Sequence, residues 1–238
     1  MKVFDQVGGL RCHVVVPLLA FVALAIVFEC TTLDLWLADL IYRWEGGVWA
    51  LRRDPLVRDV LHSHAKQLTG VVYGLIASLC AMSFVVARLS MYRWGLVYLV
   101  SAIAISTLSV SLLKDVTHVY CPWSVARYGG DVPYVPNWRA ILAQEGDGRC
   151  FPSGHASSGF ALLALYFFCA RYAPALRWYT FAMAMVLGTV FGVAQQLRGA
   201  HFLSHDVWAL AICWFVAVIA TPILYRDWGT PQRAGGAE

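Results

Sequence analysis

The residues of this chain that could do chemistry together are Lys114, the run Pro152-Ser153-Gly154-His155, and the group Arg198, His201, His205 and Asp206. They stand at the edges of long apolar runs, where ionisable side chains are costly unless they do something. Cations, a Ser-Gly turn and several histidines at one boundary point to chemistry on a phosphate. Ser153 is placed to cap a helix by accepting from a backbone N–H. The helix start that follows offers free N–H groups and partial positive charge to an oxyanion. Gly154 lets the backbone approach a phosphate with no Cβ in the way. His155, one residue further, can protonate a departing oxygen. On a helix, Arg198, His201 and His205 share one face. An arginine clamps phosphate oxygens with its planar fork. A histidine beside it can attack phosphorus if an acceptor holds its other ring nitrogen, and Asp206 or His205 could be that acceptor. A rival reading is a zinc site made of both histidines and Asp206. The surrounding cations would repel a divalent ion, so no metal is expected.

These residues must be positioned by membrane helices. The chain is 60% hydrophobic and 13% charged, outside the usual soluble range. Six apolar runs, at about 14–30, 68–87, 95–113, 156–170, 178–197 and 207–225, approach the ~20 residues that a span requires. So closely packed, they leave no room for a separate soluble domain. The expectation is one all-α, polytopic membrane helical bundle over residues 1–238, with about six transmembrane helices. The first run follows Lys2 and Arg11 but lacks a small-x-small cleavage site, so it reads as an uncleaved span. Between residues 31 and 66, Leu33, Trp36, Leu37, Leu40, Ile41, Trp44 and Val48 recur at helical spacing, with Asp34, Asp39, Arg43 and Glu45 between them. This predicts an interfacial helix with its aromatic face in lipid, broken at Gly46-Gly47. An even number of spans puts both termini on one side. Lys and Arg divide eight to ten between the sides, but the ten belong to the candidate site or to the long 31–66 segment. The termini are expected in the cytoplasm and the site outside.

The chain resembles the type-2 phosphatidic acid phosphatase family of membrane lipid phosphatases over roughly residues 68–225. That family carries Lys-x6-Arg-Pro, then Pro-Ser-Gly-His, then Ser-Arg-x5-His-x3-Asp. The middle part matches in full. Lys114 and Pro122 meet the first, but Cys121 occupies its arginine position, which leaves Arg127 or Arg149 to supply that charge. With His201 as the family's nucleophile, Gln195 falls on the arginine position and His205 on the aspartate position, with Asp206 one residue late. With His205 instead, Arg198 is one residue too far and Ala209 stands at the aspartate position. The first alignment keeps Gly199-x-His201 and is preferred.

The resemblance implies hydrolysis of a phosphate monoester or diphosphate on a membrane lipid, with no metal or other cofactor. His201 forms a phosphohistidine while Asp206 or His205 orients its ring. His155 protonates the leaving oxygen and then activates water, while Lys114, Arg198, Ser153 and backbone N–H groups hold the phosphate oxygens. Phosphatidic acid, phosphatidylglycerophosphate, a polyprenyl diphosphate and lipid A would all qualify as substrates. The basic residues from Arg43 to Lys66 could help gather an anionic lipid. A lipid phosphotransferase would use the same residues, whereas a transporter would place its charges mid-membrane. The expected surroundings are a bacterial inner membrane with the site on the periplasmic side. No nucleic-acid partner is expected, and the sequence sets no oligomeric state. Cys121 and Cys150 bracket the one long loop between the third and fourth runs, and an oxidising periplasm would let them form a disulfide.

Overall fold

A computed structural model describes residues 9, 11–55 and 65–225 of the protein. Among them regular structure is helical, with no strand beyond an isolated bridge between Val125 and Val132. In chain order the helices are α1 (Val16–Cys30), entered through a π-helical turn, then α2 (Leu33–Trp44), α3 (Ala65–Met82), α4 (Arg93–Val116) and α5 (Asn137–Ala143). They continue as α6 (Gly154–Phe160), α7 (Ala164–Tyr172), α8 (Arg177–Leu197), α9 (Leu203–Ile219) and the short α10 (Thr221–Leu224). The expected all-α class holds.

Four helical stretches are long and apolar enough to cross a membrane: Arg11–Cys30, Ala87–Val116, Pro174–Leu197 and Leu203–Leu224. The protein is therefore read as an integral membrane protein. The other two apolar runs are helical but differ for physical reasons. The third helix ends at Met82, where Arg93 Nε and Nη2 take up the Ser83 carbonyl at 3.0 and 2.9 Å. The run after Ser153 is divided by a 3-10 turn at Ala161–Leu163 and carries His155, Ser157 and Ser158. It can afford those polar groups because protein, rather than lipid, surrounds it. Leu162, Leu163 and Phe167 are at most 2% exposed in a core shared by α4, α6, α7, α8 and α9.

Two glycines let α8 come close. A Cβ at Gly188 would run into the Phe160 ring, and one at Gly192 would meet the Asp206 carboxylate. Small residues four apart are how membrane helices pack without a hydrophobic driving force between them. At its other end, α1 is tied in through His13, whose ring nitrogen meets the Tyr166 hydroxyl at 3.1 Å and whose carbonyl accepts from Trp214 at 2.9 Å.

The expected amphipathic segment forms α2, with Trp36, Leu40 and Trp44 exposed, and Gly46 and Gly47 end it at φ +84° and +79°. Its opposite face is not a solvated one: Asp34 and Ala38 are buried against protein. Residues 56–64 of the predicted 31–66 segment, and the side chain of Lys66, lie outside the described residues.

Cys121 and Cys150 are bonded, with Cα atoms 5.2 Å apart and a separation of 29 positions in sequence. Cys150 N–H also donates to the Val119 carbonyl at 2.9 Å, so the bond fastens a loop already folded back on itself. By loop entropy alone this link contributes about 3–4 kcal/mol. Reduction, or Cys150→Ser, should therefore bring thermal unfolding to a lower temperature. Intact mass after alkylation should rise by two further alkyl groups once the protein is first reduced. Equal masses with and without reductant would contradict the bond.

Candidate active site

The ends of α4 and α8 and the starts of α6 and α9 meet at one end of the bundle and bear the candidate residues other than Arg127, although His201 lines a small cavity of its own rather than the cleft of Lys114 and His155. Ser153 caps α6, its hydroxyl accepting from Ala156 N–H at 3.5 Å. Its own N–H donates to the His205 carbonyl at 3.1 Å, which joins the start of α6 to the first turn of α9. Lys114, in the last turn of α4, places its Nζ 3.6 Å from where a Cβ on Gly154 would be. A side chain at that position would fill the space beside the ammonium.

Lys114, Arg149, Gly154 and His155 line a cleft of 480 Å³ between α3, α4 and α6. Tyr73 of α3 closes part of it, donating to the Ser158 carbonyl. Arg149 is exposed and forms an ion pair with Asp115. Arg127 is elsewhere: its Nε and Nη2 grip Asp39 of α2 at 2.7 and 2.5 Å, and the Tyr128 hydroxyl adds a bond to the same carboxylate at 3.0 Å. That guanidinium holds the Asp39 carboxyl below the usual carboxylate range. Of the two arginines considered for the charge missing at Cys121, only Arg149 stands beside Lys114.

The histidines form a buried pair, with His201 Nδ1 and His205 Nδ1 3.3 Å apart. Both imidazoles also lie against the backbone carbonyl of Cys150. Phe151 and Phe202 pack edge-on to His205, which is fully buried. His201 lies within electrostatic range of Lys114 and His155. Burial, then His205, Lys114 and His155, holds its imidazole well below the usual histidine range. Asp206 has other partners: Gln196 Nε2 donates to its Oδ2 at 2.6 Å, and the Ser153 side chain also interacts with its carboxylate. Of the two acceptors considered for His201, His205 is thus the one in contact. The two histidines and Asp206 do not converge as a zinc site would require, and no group of three or more His, Cys, Asp or Glu among the described residues does.

Arg198 ends α8, its Nη1 donating to Gln195 Oε1 at 3.0 Å. The glutamine on the family's arginine position thus orients the arginine three residues later. Asn137 and Gln196 carry no sequence signal, and Asp34 reads from sequence only as a polar position of the 31–66 helix. Asp34 accepts from Ser204 N–H at 2.9 Å across 170 residues, and no local pattern announces such a bond. The Gly188-x3-Gly192 spacing was a readable sign of close helix approach.

A lysine, arginines, a capped Ser-Gly helix start and paired histidines at one end of a helical bundle are groups that can bind and attack a phosphate. The PAP2 superfamily model matches residues 95–228, more than half of the chain, and the protein belongs to that superfamily. Membership points to phosphatase activity on phosphate esters. No curated protein and no solved structure matches the chain. The match begins within α4, so α1, α2 and α3 lie outside it.

If Arg149 supplies phosphate-binding charge, Arg149→Ala should lower kcat/KM for a lipid phosphate by about 10–100-fold, the range for a lost charge-assisted hydrogen bond. Arg127→Ala should leave kcat/KM within about threefold, since its partner is Asp39. The reverse ranking in a phosphate-release assay would reassign the charge.

Proposed function

We propose that this protein hydrolyses a phosphate monoester or diphosphate on a membrane lipid through a phosphohistidine on His201, without a metal ion. The observation that carries the reading is the His201 ring itself. Its Nδ1 is engaged by His205 at 3.3 Å, while Lys114 and His155 lie within electrostatic range. With His201 Nδ1–H donating to His205 Nδ1, the Nε2 lone pair is left to attack phosphorus.

In the first step the N–P bond forms and the bond from phosphorus to the lipid oxygen breaks. His155 gives its proton to the departing oxygen. In the second, His155 takes a proton from water as its oxygen attacks phosphorus, and the N–P bond breaks to release phosphate. Lys114, Arg149, Arg198 and N–H groups at the start of α6, behind Ser153 and Gly154, stabilise the charge that develops on the phosphate oxygens. Asp206 acts at one remove, through Gln196 and Ser153.

The whole chain, 1–238, is read as one integral membrane phosphatase domain of six spans. Ala65–Met82 and the combined α6–α7 stretch are each about 27–29 Å long at ~1.5 Å per residue, close to the hydrocarbon thickness. A headgroup reaching the Lys114 cleft from between α3 and α4 would leave its tails in the bilayer. The disulfide fits an oxidising compartment and so favours a bacterial inner membrane with the site on the periplasmic face.

The test is inorganic phosphate release from a panel of lipid phosphates by purified protein in detergent containing a chelator. His201→Ala should lower turnover by at least ~10³-fold with the protein still folded, and His205→Ala by less. A dead His205→Ala beside an active His201→Ala would make His205 the nucleophile. Activity that returns only with one added metal would replace the reading with a metal-dependent one, and activity only with an acceptor lipid would make the protein a transferase.

The pH profile adds an independent check. A lowered value keeps His201 neutral, and so nucleophilic, as pH falls past the ordinary histidine value of 6.5. The acid limb of kcat/KM should therefore lie below that value. A limb centred at or above it would contradict the assignment.

A further inference from the structure

We infer that Asp34, on α2 and outside the family-matched region, is a positioning residue that holds the turn carrying His201. The inference rests on the proposed role of His201 as nucleophile.

Helix α9 begins two residues after His201, and its first turn has N–H groups that need acceptors. Phe202 stands at the cap and offers no side-chain acceptor. The acceptor comes instead from another helix, as Ser204 N–H donates to Asp34 Oδ1 at 2.9 Å. Asn137 of α5 donates to the Ser204 hydroxyl at 3.0 Å, which leaves that hydroxyl's proton for Asp34. Both residues of the central bond are enclosed: Asp34 is 4% exposed and Ser204 0%. A carboxylate taken out of water is costly without such bonds, and burial does push the Asp34 carboxyl up, to about 6.

The same segment grips the other end of the turn. A Cβ on Gly199, at φ +66°, would run into the Trp49 indole, so that ring lies directly over the glycine. Gly199 and Ala200 N–H donate to the carbonyls of Gln196 and Gln195, both at 2.9 Å. Trp123 N–H donates to the Gly199 carbonyl, also at 2.9 Å. The turn is thus fixed at 199–200 and again at 204, with His201 between. Asp34, Gln196, His201 and Phe202 line one small cavity, so loss of the Asp34 bond frees the backbone next to the nucleophile. A displacement of about 1 Å at a reacting group can cost ~10²-fold in rate.

The test is phosphate release by purified full-length protein from a lipid phosphate, measured per folded molecule. Asp34→Ala should lower kcat about tenfold or more with KM within about twofold, because the substrate-binding cations are untouched. Asp34→Asn keeps an oxygen acceptor at the same reach and should recover kcat to within about threefold. An unchanged kcat in Asp34→Ala, or an Asn variant as impaired as the Ala variant, would overturn the inference. If Asp34→Ala does not fold, Asp34→Asn and Asp34→Glu decide, since the extra methylene displaces the acceptor. Glu should then be at least about tenfold slower than Asn, and equal kcat values would overturn the inference. His201→Ala, measured alongside, separates the two claims. Turnover by His201→Ala defeats the nucleophile assignment, whereas a dead His201→Ala with an unaltered Asp34→Ala defeats only the role of Asp34.

Discussion

A Cβ at residue 188 would strike the Phe160 ring, and one at 192 the Asp206 carboxylate. The approach of α8 to α6 and α9 therefore depends on two bare positions one helical turn apart. Because α8 lies that close, Gln196 reaches Asp206 and the chain turns tightly from Gln195 through Ala200 into α9. Because α9 then starts beside α6, Ser153 N–H can bond the His205 carbonyl. In a bilayer, backbone and side-chain polar groups cannot turn to water. Tight packing of small residues is what lets these groups satisfy one another and leaves the bundle's polar end as the place where charge collects.

The sequence foretold this end of the bundle because its signals are local. Pro-Ser-Gly-His is a helix start, and the three-and-four spacing of Arg198, His201 and His205 is helical. The structure keeps the capped start at Ser153 but not a continuous helix from 198 to 205: Arg198 ends α8 and Leu203 begins α9. The two histidines meet across a turn instead, ring to ring. Span count was less legible. Length and apolarity find helices that face lipid, whereas α6 and α7 are enclosed by protein and need not be uniformly apolar. Asp34 reads as part of the polar side of an interfacial helix, and only its distant partner Ser204 shows that this side is buried.

Electrostatics at the site follow from burial more than from pairing. His201 is buried beside His205 and near Lys114, and burial and the nearby cation both disfavour a charged imidazole there. A neutral ring is what an attack on phosphorus requires. In the proposed reaction a histidine would be a milder orienting partner than a carboxylate, because it would hold a proton on His201 without adding negative charge next to a phosphate. Asp206 is engaged by Gln196 and Ser153 and so belongs to the frame that joins α8, α6 and α9.

The departures from the phosphatase pattern also fit one another spatially. Cysteine at 121 removes a cation, yet the disulfide it forms holds Cys150, and the Cys150 carbonyl lies against both histidine rings. The residue before Cys150 is Arg149, which lines the Lys114 cleft, so the same tie holds a cation where charge was lost. Gln195, uncharged where the pattern has arginine, orients Arg198. Histidine at 205 then meets a site whose backbone carbonyl, rather than a carboxylate, supplies the local negative pole. These changes draw on parts the family match does not cover: Trp49 rests on Gly199 and Asp34 holds Ser204, so the N-terminal third shapes the turn that bears His201.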